Sequence, residues 1–266
     1  MIVMALECSA VSASVALVED DRLLAESFVN VRLTHSQTLM PMAESLLRSA
    51  CLMLDQVDGF AVSNGPGSFT GVRIGVAAVK GMAQALGRPC AGVSTLEAMA
   101  WQTAAMLDSV DAAGRFTLCP VMDAHCSQVY NALFEAPASH HNMVSQPADT
   151  VAPPTPSSTW IAPVRRCEDR AISIGQLCEE LKKSKVCPYL VGDGAALCYN
   201  ELKRAGLDCR IAPEGSRYQR AYGVALAAQG RFTAGVAQDA CDLKPTYLRL
   251  PQAERDLKKR KSEKEE

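Results

Sequence analysis

The residues with the most chemical potential are the thirteen from Ser63 to Gly75, reading Ser-Asn-Gly-Pro-Gly-Ser-Phe-Thr-Gly-Val-Arg-Ile-Gly. They follow an apolar run, Val57 to Val62, and precede small apolar residues, so the order reads strand, glycine loop, helix. Gly65 and Gly67 permit positive φ and close backbone approach. Ser68 or Thr70 can cap the helix, and free N–H groups at a helix start attract anions. A phosphate cradle is therefore chemically allowed. The spacing argues against both common nucleotide loops. A P-loop places a lysine directly after its last glycine, whereas Gly71 is followed by Val72 and Arg73. A dinucleotide fingerprint reads G-x-G-x-x-G, whereas Thr70 stands at the third glycine and Gly71 comes one residue late. Pro66 also removes one loop N–H, so spacing favours a plain turn.

No other group forms a convincing reactive pair. His125, His140 and His141 lie in or beside loops, with no carboxylate at metal-ligating spacing. Ser9, Ser68 and Ser94 fit turns and caps better than a nucleophile. Neither a catalytic residue nor a metal site is expected. The helix after the loop carries Ala77, Gly81 and Ala85 at every fourth position, so they stack on one face. That face either packs on the parent sheet or receives a partner.

Several elements must position these residues. Ile2 to Leu6, Ser14 to Val18 and Leu23 to Val29 read as strands of a meander, with Glu19-Asp20-Asp21 as the turn between the last two. A helix is expected from about Thr38 to Leu54, with Thr38 capping it and Pro41 in its first turn. Its apolar residues, Leu39, Met42, Leu46 and Ala50 among them, cover about half the circumference. The strand at Val57 to Val62 and the helix Gly71 to Leu86 follow, then a strand at Cys90 to Val93. Ser94-Thr95-Leu96-Glu97 matches a capping box, opening a helix to about Leu107. Strands are expected at Thr117 to Met122 and Gln128 to Phe134, then an irregular excursion from Ala136 to Pro163 rich in Pro, Ser, Thr and His. A helix at Ile174 to Lys183, a strand at Tyr189 to Val191, a helix at Leu197 to Ala205 and a small-residue helix at Ala221 to Ala234 complete the chain. Residues 250–266 form a mixed-charge tail with the composition of a disordered segment.

Composition limits the partners. The 266 residues carry a net charge of −2, without the basic excess of a protein that binds nucleic acid alone. The 11 cysteines are odd in number, with no Cys-x-x-Cys pair, which fits reduced cytosolic thiols better than disulfides or zinc. No apolar run approaches membrane-spanning length, and the N-terminus lacks the pattern of a signal peptide. A cytoplasmic protein is expected.

Two lobes that each open with a strand meander resemble the actin/Hsp70-like ATPase superfamily. This is an α/β, ribonuclease H-like fold in which each lobe is a mixed sheet with flanking helices. Asn64 to Gly75 resembles the signature of the bacterial TsaB (YeaZ) family. Further matches are His35-Ser36, Val93 to Ala98, Met122-Asp123-Ala124 with Val129-Tyr130, and Tyr247-Leu248-Arg249. The resemblance runs from Ile2 to about Arg249. It implies a first lobe over 1–110, joined by a C-terminal helix at about 218–236, and a smaller second lobe over 111–217. It also implies a role in making threonylcarbamoyladenosine beside the tRNA anticodon as a non-catalytic subunit without cofactor. That subunit pairs with a TsaD-like catalytic partner, is joined by a TsaE-like ATPase, and meets tRNA through the complex. A homodimer through first-lobe helices is implied too. Catalytic relatives carry a His-x-x-x-His metal pair; here His35 is followed four residues on by Leu39. Glu7 and Asp123 stand where a nucleotide-binding relative holds Mg²⁺, and Gly192-Asp193-Gly194 resembles an adenosine loop, so nucleotide binding would be vestigial. The partner interface is expected at Leu39, Met42, Leu46 and Ala50 with Arg73, Ala77, Gly81 and Ala85. The alternatives are an independent actin-like kinase using Glu7 and Asp123, or a glycoprotease-like peptidase.

Overall fold

A computed structural model describes residues 1–20, 22–106, 115–137 and 162–249. The first half contains β1 (Ile2–Glu7), β2 (Ala13–Glu19), β3 (Arg22–Val29), α1 (His35–Ser49), a 3-10 turn (Leu54–Gln56), β4 (Gly59–Gly65), α2 (Phe69–Leu86), β5 (Cys90–Ser94) and α3 (Thr95–Met106). The second contains β6 (Arg115–Asp123), β7 (Gln128–Asn131), β8 (Phe134–Pro137), β9 (Val164–Arg165), β10 (Arg170–Ser173), α4 (Ile174–Ser184), β11 (Pro188–Val191), α5 (Ala195–Arg204), β12 (Arg210–Ile211), α6 (Glu214–Arg217) and α7 (Ala221–Thr233).

The two sheets repeat one topology. The first runs β3-β2-β1-β4-β5 and the second β10-β7-β6-β11-β12. Along each path the first three strands (β1, β2, β3 and β6, β7, β10) pair antiparallel and the last two add in parallel, and the second sheet is completed to seven strands by β8 on β6 and β9 on β8, both antiparallel. This repeated order gives the two-lobed α/β architecture, a mixed sheet with flanking helices in each lobe, that the resemblance implies.

Strands covered on both faces are apolar at nearly every position, and β1 shows the division. Met4 and Leu6 meet α1 and α2 on one side, while Val3 and Ala5 meet α7 on the other. The α7 side is a layer of small residues, Ala221, Ala225 and Ala228 against Ala16, Ala61 and Ala91, which lets that helix approach closely. Helix α3 has buried residues on all sides, polar Gln102 and Thr103 among them, and packs on two layers. Ala98 joins the α7 layer, while Leu96 and Met99 pack with Leu118 and Phe134 of the second sheet. It is the spacer between the lobes.

Three expectations are corrected. Thr38 does not cap the first helix. Thr34 holds the cap position, and Pro41 lies inside the helix. The helix stops at Ser49 because Cys51 is left-handed, with φ 54°. The single strand expected over Gln128 to Phe134 is two strands, broken opposite Pro120. Val121 pairs with Asn131 and Leu118 with Phe134, and Pro120 has no N–H to continue the ladder. The Asn131 amide turns in at the gap, donating to the carbonyls of Pro120 and Ala132 at 3.1 Å each. The capping box is half made: Ser94 Oγ accepts from the Glu97 N–H at 3.2 Å, but the Glu97 carboxylate pairs with Arg231. The short elements β9, β10, β12 and α6 had no expectation. His140, His141, most of the irregular excursion and the charged tail lie outside the described residues.

Candidate functional site

The glycine loop is built to be filled by its own chain. Ser68 Oγ accepts from the Gly71 N–H at 3.3 Å, the cap that the sequence allowed. The Ser68 N–H donates to the Ser9 carbonyl at 2.6 Å, and Cys8 Sγ donates to the Gly71 carbonyl at 3.1 Å. A Cβ at Gly67 would stand 2.4 Å from the Ser9 oxygen, and one at Gly71 2.1 Å from the Cys8 oxygen. The β1–β2 turn therefore occupies the start of α2 where a phosphate would otherwise sit. Thr70 lies exposed in the first helical turn.

The other side of the loop receives the end of the described chain. Gly65 has φ 125°, and a Cβ there would lie 2.1 Å from the Thr246 oxygen. The Asn64 carbonyl accepts from the Thr246 N–H at 2.6 Å, and its amide donates to the Lys244 carbonyl at 3.1 Å. Arg73 Nε donates to the Tyr247 hydroxyl at 2.8 Å, and its guanidinium lies 3.8 Å above the Phe69 ring. Phe69 and Tyr247 stack at 4.7 Å. Arg73, expected at a partner interface, is thus already engaged within the chain. The Tyr247 match was the only sign of this in the sequence, and it did not reveal where the residue docks.

The expected nucleotide residues do not assemble into one open site. Glu7 is fully buried. Its Oε1 accepts from the Ser9 N–H at 2.6 Å, while Oε2 and the neighbouring Ser9 and Ser63 hydroxyls lack a well-formed hydrogen bond. Burial pushes this carboxyl above the usual range, against the pull of Ser63, Ser9 and the more distant His35. Asp123 accepts the His125 N–H at 2.7 Å. The Gly192-Asp193-Gly194 turn packs on β6, with the Gly194 N–H donating to the Val121 carbonyl at 3.2 Å. Asp193, which had no assigned role, accepts from the Gln219 amide at 2.6 Å. Burial first, then the charges of Asp123 and Glu7, push its carboxyl up to about 6 against the pull of Gln219. A groove of about 1020 Å³ beside α4 and α5 holds Asp123 but neither Glu7 nor the two glycines. His35 Nε2 lies 2.8 Å from the Ala10 carbonyl. Among the described residues, no cluster of three His, Cys, Asp or Glu residues could hold a metal ion.

The expected docking residues divide by face. Leu39 and Leu46 are 1% and 6% exposed and belong to the first-lobe core. Their assignment to an interface is corrected, because they face the sheet. Met42 and Ala50 are partly buried against the same core. Ala77, Gly81 and Ala85 lie exposed along α2, and a Cβ at Gly81 would meet nothing within 4 Å. A second set of residues not expected from sequence ties the lobes together. Glu97 lies 3.1 Å from Arg231 and 4.0 Å from Arg165. Arg165 pairs with Asp169 at 2.5 Å, and Asp169 accepts from Ser94 Oγ at 2.5 Å.

The family model for TsaD, tRNA N6-adenosine threonylcarbamoyltransferase, matches residues 30–255. The chain belongs to this family. Within it, the similarity is to TsaB (YeaZ) proteins. The Bacillus subtilis tRNA threonylcarbamoyladenosine biosynthesis protein TsaB is 33% identical over 138 residues, which is 51% of this chain and 56% of that protein. The Escherichia coli TsaB is 37% identical over 100 residues, 38% of this chain and 43% of that protein. The chain thus spans about half the length of the curated relatives it matches. A Pseudomonas aeruginosa protein described as similar to peptidase YEAZ superposes with a TM-score of 0.70 at 24% identity, over 93% of this chain and 99% of that one. That likeness extends the TsaB fold to both lobes. Among the described residues, no helix is long and apolar enough to cross a membrane.

Proposed function

We propose that this chain is a non-catalytic subunit in threonylcarbamoyl modification of the adenosine 3′ of the tRNA anticodon. It works by docking a TsaD-type catalytic subunit, with a TsaE-type ATPase joining the pair and tRNA reached through the assembly. The observation that carries the reading is Leu39: where catalytic relatives place the second metal histidine, this chain has a leucine sealed in the core. The glycine loop supports it, since the loop's helix start is occupied by the chain's own Ser9 and Cys8. The docking face is the exposed stripe Ala77, Gly81 and Ala85, where small side chains permit a helix to approach closely. The same stripe serves a homodimer when the partner is absent. The lobes divide at 1–110 and 111–217, with the helix at 218–236 returning to the first, and the protein works in the cytoplasm.

Gly81→Leu tests the docking face. The site is open, so the fold tolerates the side chain, and removing a helix-interior glycine adds about 0.8 kcal/mol of helix propensity. Affinity for the TsaD-type subunit is expected to fall at least tenfold with the melting temperature kept or raised. Unchanged affinity discards the stripe. The kinase alternative is separated by calorimetry of the isolated chain with ATP and Mg²⁺. Submillimolar binding abolished by Glu7→Ala would support it.

A further inference from the structure

We propose that residues 236–249 are a latch that couples the glycine loop and α2 to the β6–β7 turn of the other lobe. The segment is continuous and is held at each stage. Gln238 exchanges two backbone hydrogen bonds with Cys90, at 2.7 and 2.9 Å, on the edge of β5. Lys80 of α2 donates to the carbonyls of Cys241 and Leu243 at 3.1 and 3.3 Å. The Leu243 side chain is buried in the first-lobe core. Lys244, Thr246 and Tyr247 then grip Asn64 and Arg73, and two residues later Arg249 Nη1 donates to the Ala124 carbonyl. Ala124 lies between Asp123 and the left-handed residues His125, Cys126 and Ser127, with φ 60°, 55° and 56°.

A turn with three successive non-glycine residues in this region is intrinsically unfavourable and persists only where its surroundings hold it. Arg249 supplies one such hold, and its position is set by Tyr247 on Arg73. Displacing Arg73 at the α2 surface would move Tyr247, withdraw Arg249 and loosen the turn beside Asp123. Arg249 and Tyr247 are positioning residues in this scheme. The coupling is a property of the isolated chain and does not depend on which partner docks.

Hydrogen exchange on the full chain tests it, with Tyr247→Phe as the mildest change. Removing that one hydroxyl is expected to speed amide exchange about tenfold both at residues 63–71 and at the remote 121–129. Arg249→Ala should do the same in reverse, and Arg249→Lys should restore part of the protection, because the cation can still reach the carbonyl. Faster exchange confined to 244–249, with 121–129 unchanged in both Tyr247→Phe and Arg249→Ala, overturns the latch. Equal effects of Arg249→Lys and Arg249→Ala overturn the role of the Arg249 donor.

Discussion

Asp193 and Gly65 show how single residues carry opposite constraints. Asp193 is half-buried near Glu7 and Asp123, and its carboxyl is raised from 3.8 to about 6. The folded chain thus holds this proton to a higher pH than the unfolded chain. Stability is fully favoured below about pH 4 and declines as pH rises through about 6; at one unit per 1.4 kcal/mol the loss is at most ~3 kcal/mol. Asp193→Asn keeps an oxygen for Gln219 and removes the charge. It should stabilise the chain at pH 7.5 and give little gain at pH 4.5. Denaturant melts at both values check this, and an equal gain at both would remove the charge as the cause. Gly65 has a positive φ with a backbone oxygen in the place of a Cβ. Gly65→Ala is expected to cost roughly 2–4 kcal/mol in the same melts, whereas Gly81→Ala should be neutral or stabilising by up to ~1 kcal/mol.

At the scale of elements, period and punctuation were legible while the partner of each face was not. The strand–loop–helix reading of 57–86 survives with Ser68 as the cap, because cap chemistry is local. Helix α1 is capped at Thr34, four residues before the expected Thr38; a proline inside a helix and one in its first turn look alike in sequence, and the sequence does not show which part of the helix's apolar face meets the sheet. An exposed Met40 and a core Leu39 are neighbours with similar hydropathy, and only the sheet distinguishes them. Leu39→Ala is therefore expected to cost about 3 kcal/mol, and Met40→Ala, at 45% exposure, under ~0.5 kcal/mol. Thermal melts of the two variants check this, and equal losses would mean that α1 packs by another face. The break at Pro120 was visible in the sequence as a proline inside an apolar run, and reading it would have divided the strand that pairs with it. The dock of Tyr247 on Arg73 had no such signal, since the two are separated by 174 positions and neither segment's pattern depends on the other.

At the scale of the molecule, the lobes are joined by α3, by the Arg249 contact, and by the ion network around Glu97. Burial raises the Glu97 carboxyl, while Arg231 and Arg165 pull it down. The Arg231 and Arg165 side chains are 32% and 27% exposed, so water takes up part of their charge. Breaking such a pair from one side leaves the other charges uncompensated, and Glu97 stands between two arginines that come from different lobes. Glu97→Gln keeps the shape and removes the common counter-charge. Because burial outweighs the two arginines and leaves the carboxyl raised, the loss of charge is expected to change overall stability at pH 7 by under ~1 kcal/mol, and to weaken the lobe junction more than either core. Scanning calorimetry should therefore show one transition for the native chain and a broadened or divided one for the variant. A variant that melts as sharply as the native chain and at the same temperature would leave α3 packing and the C-terminal segment as the junction. The distinction bears on mechanism, because a subunit that docks by one lobe can influence the other only as far as that junction is stiff.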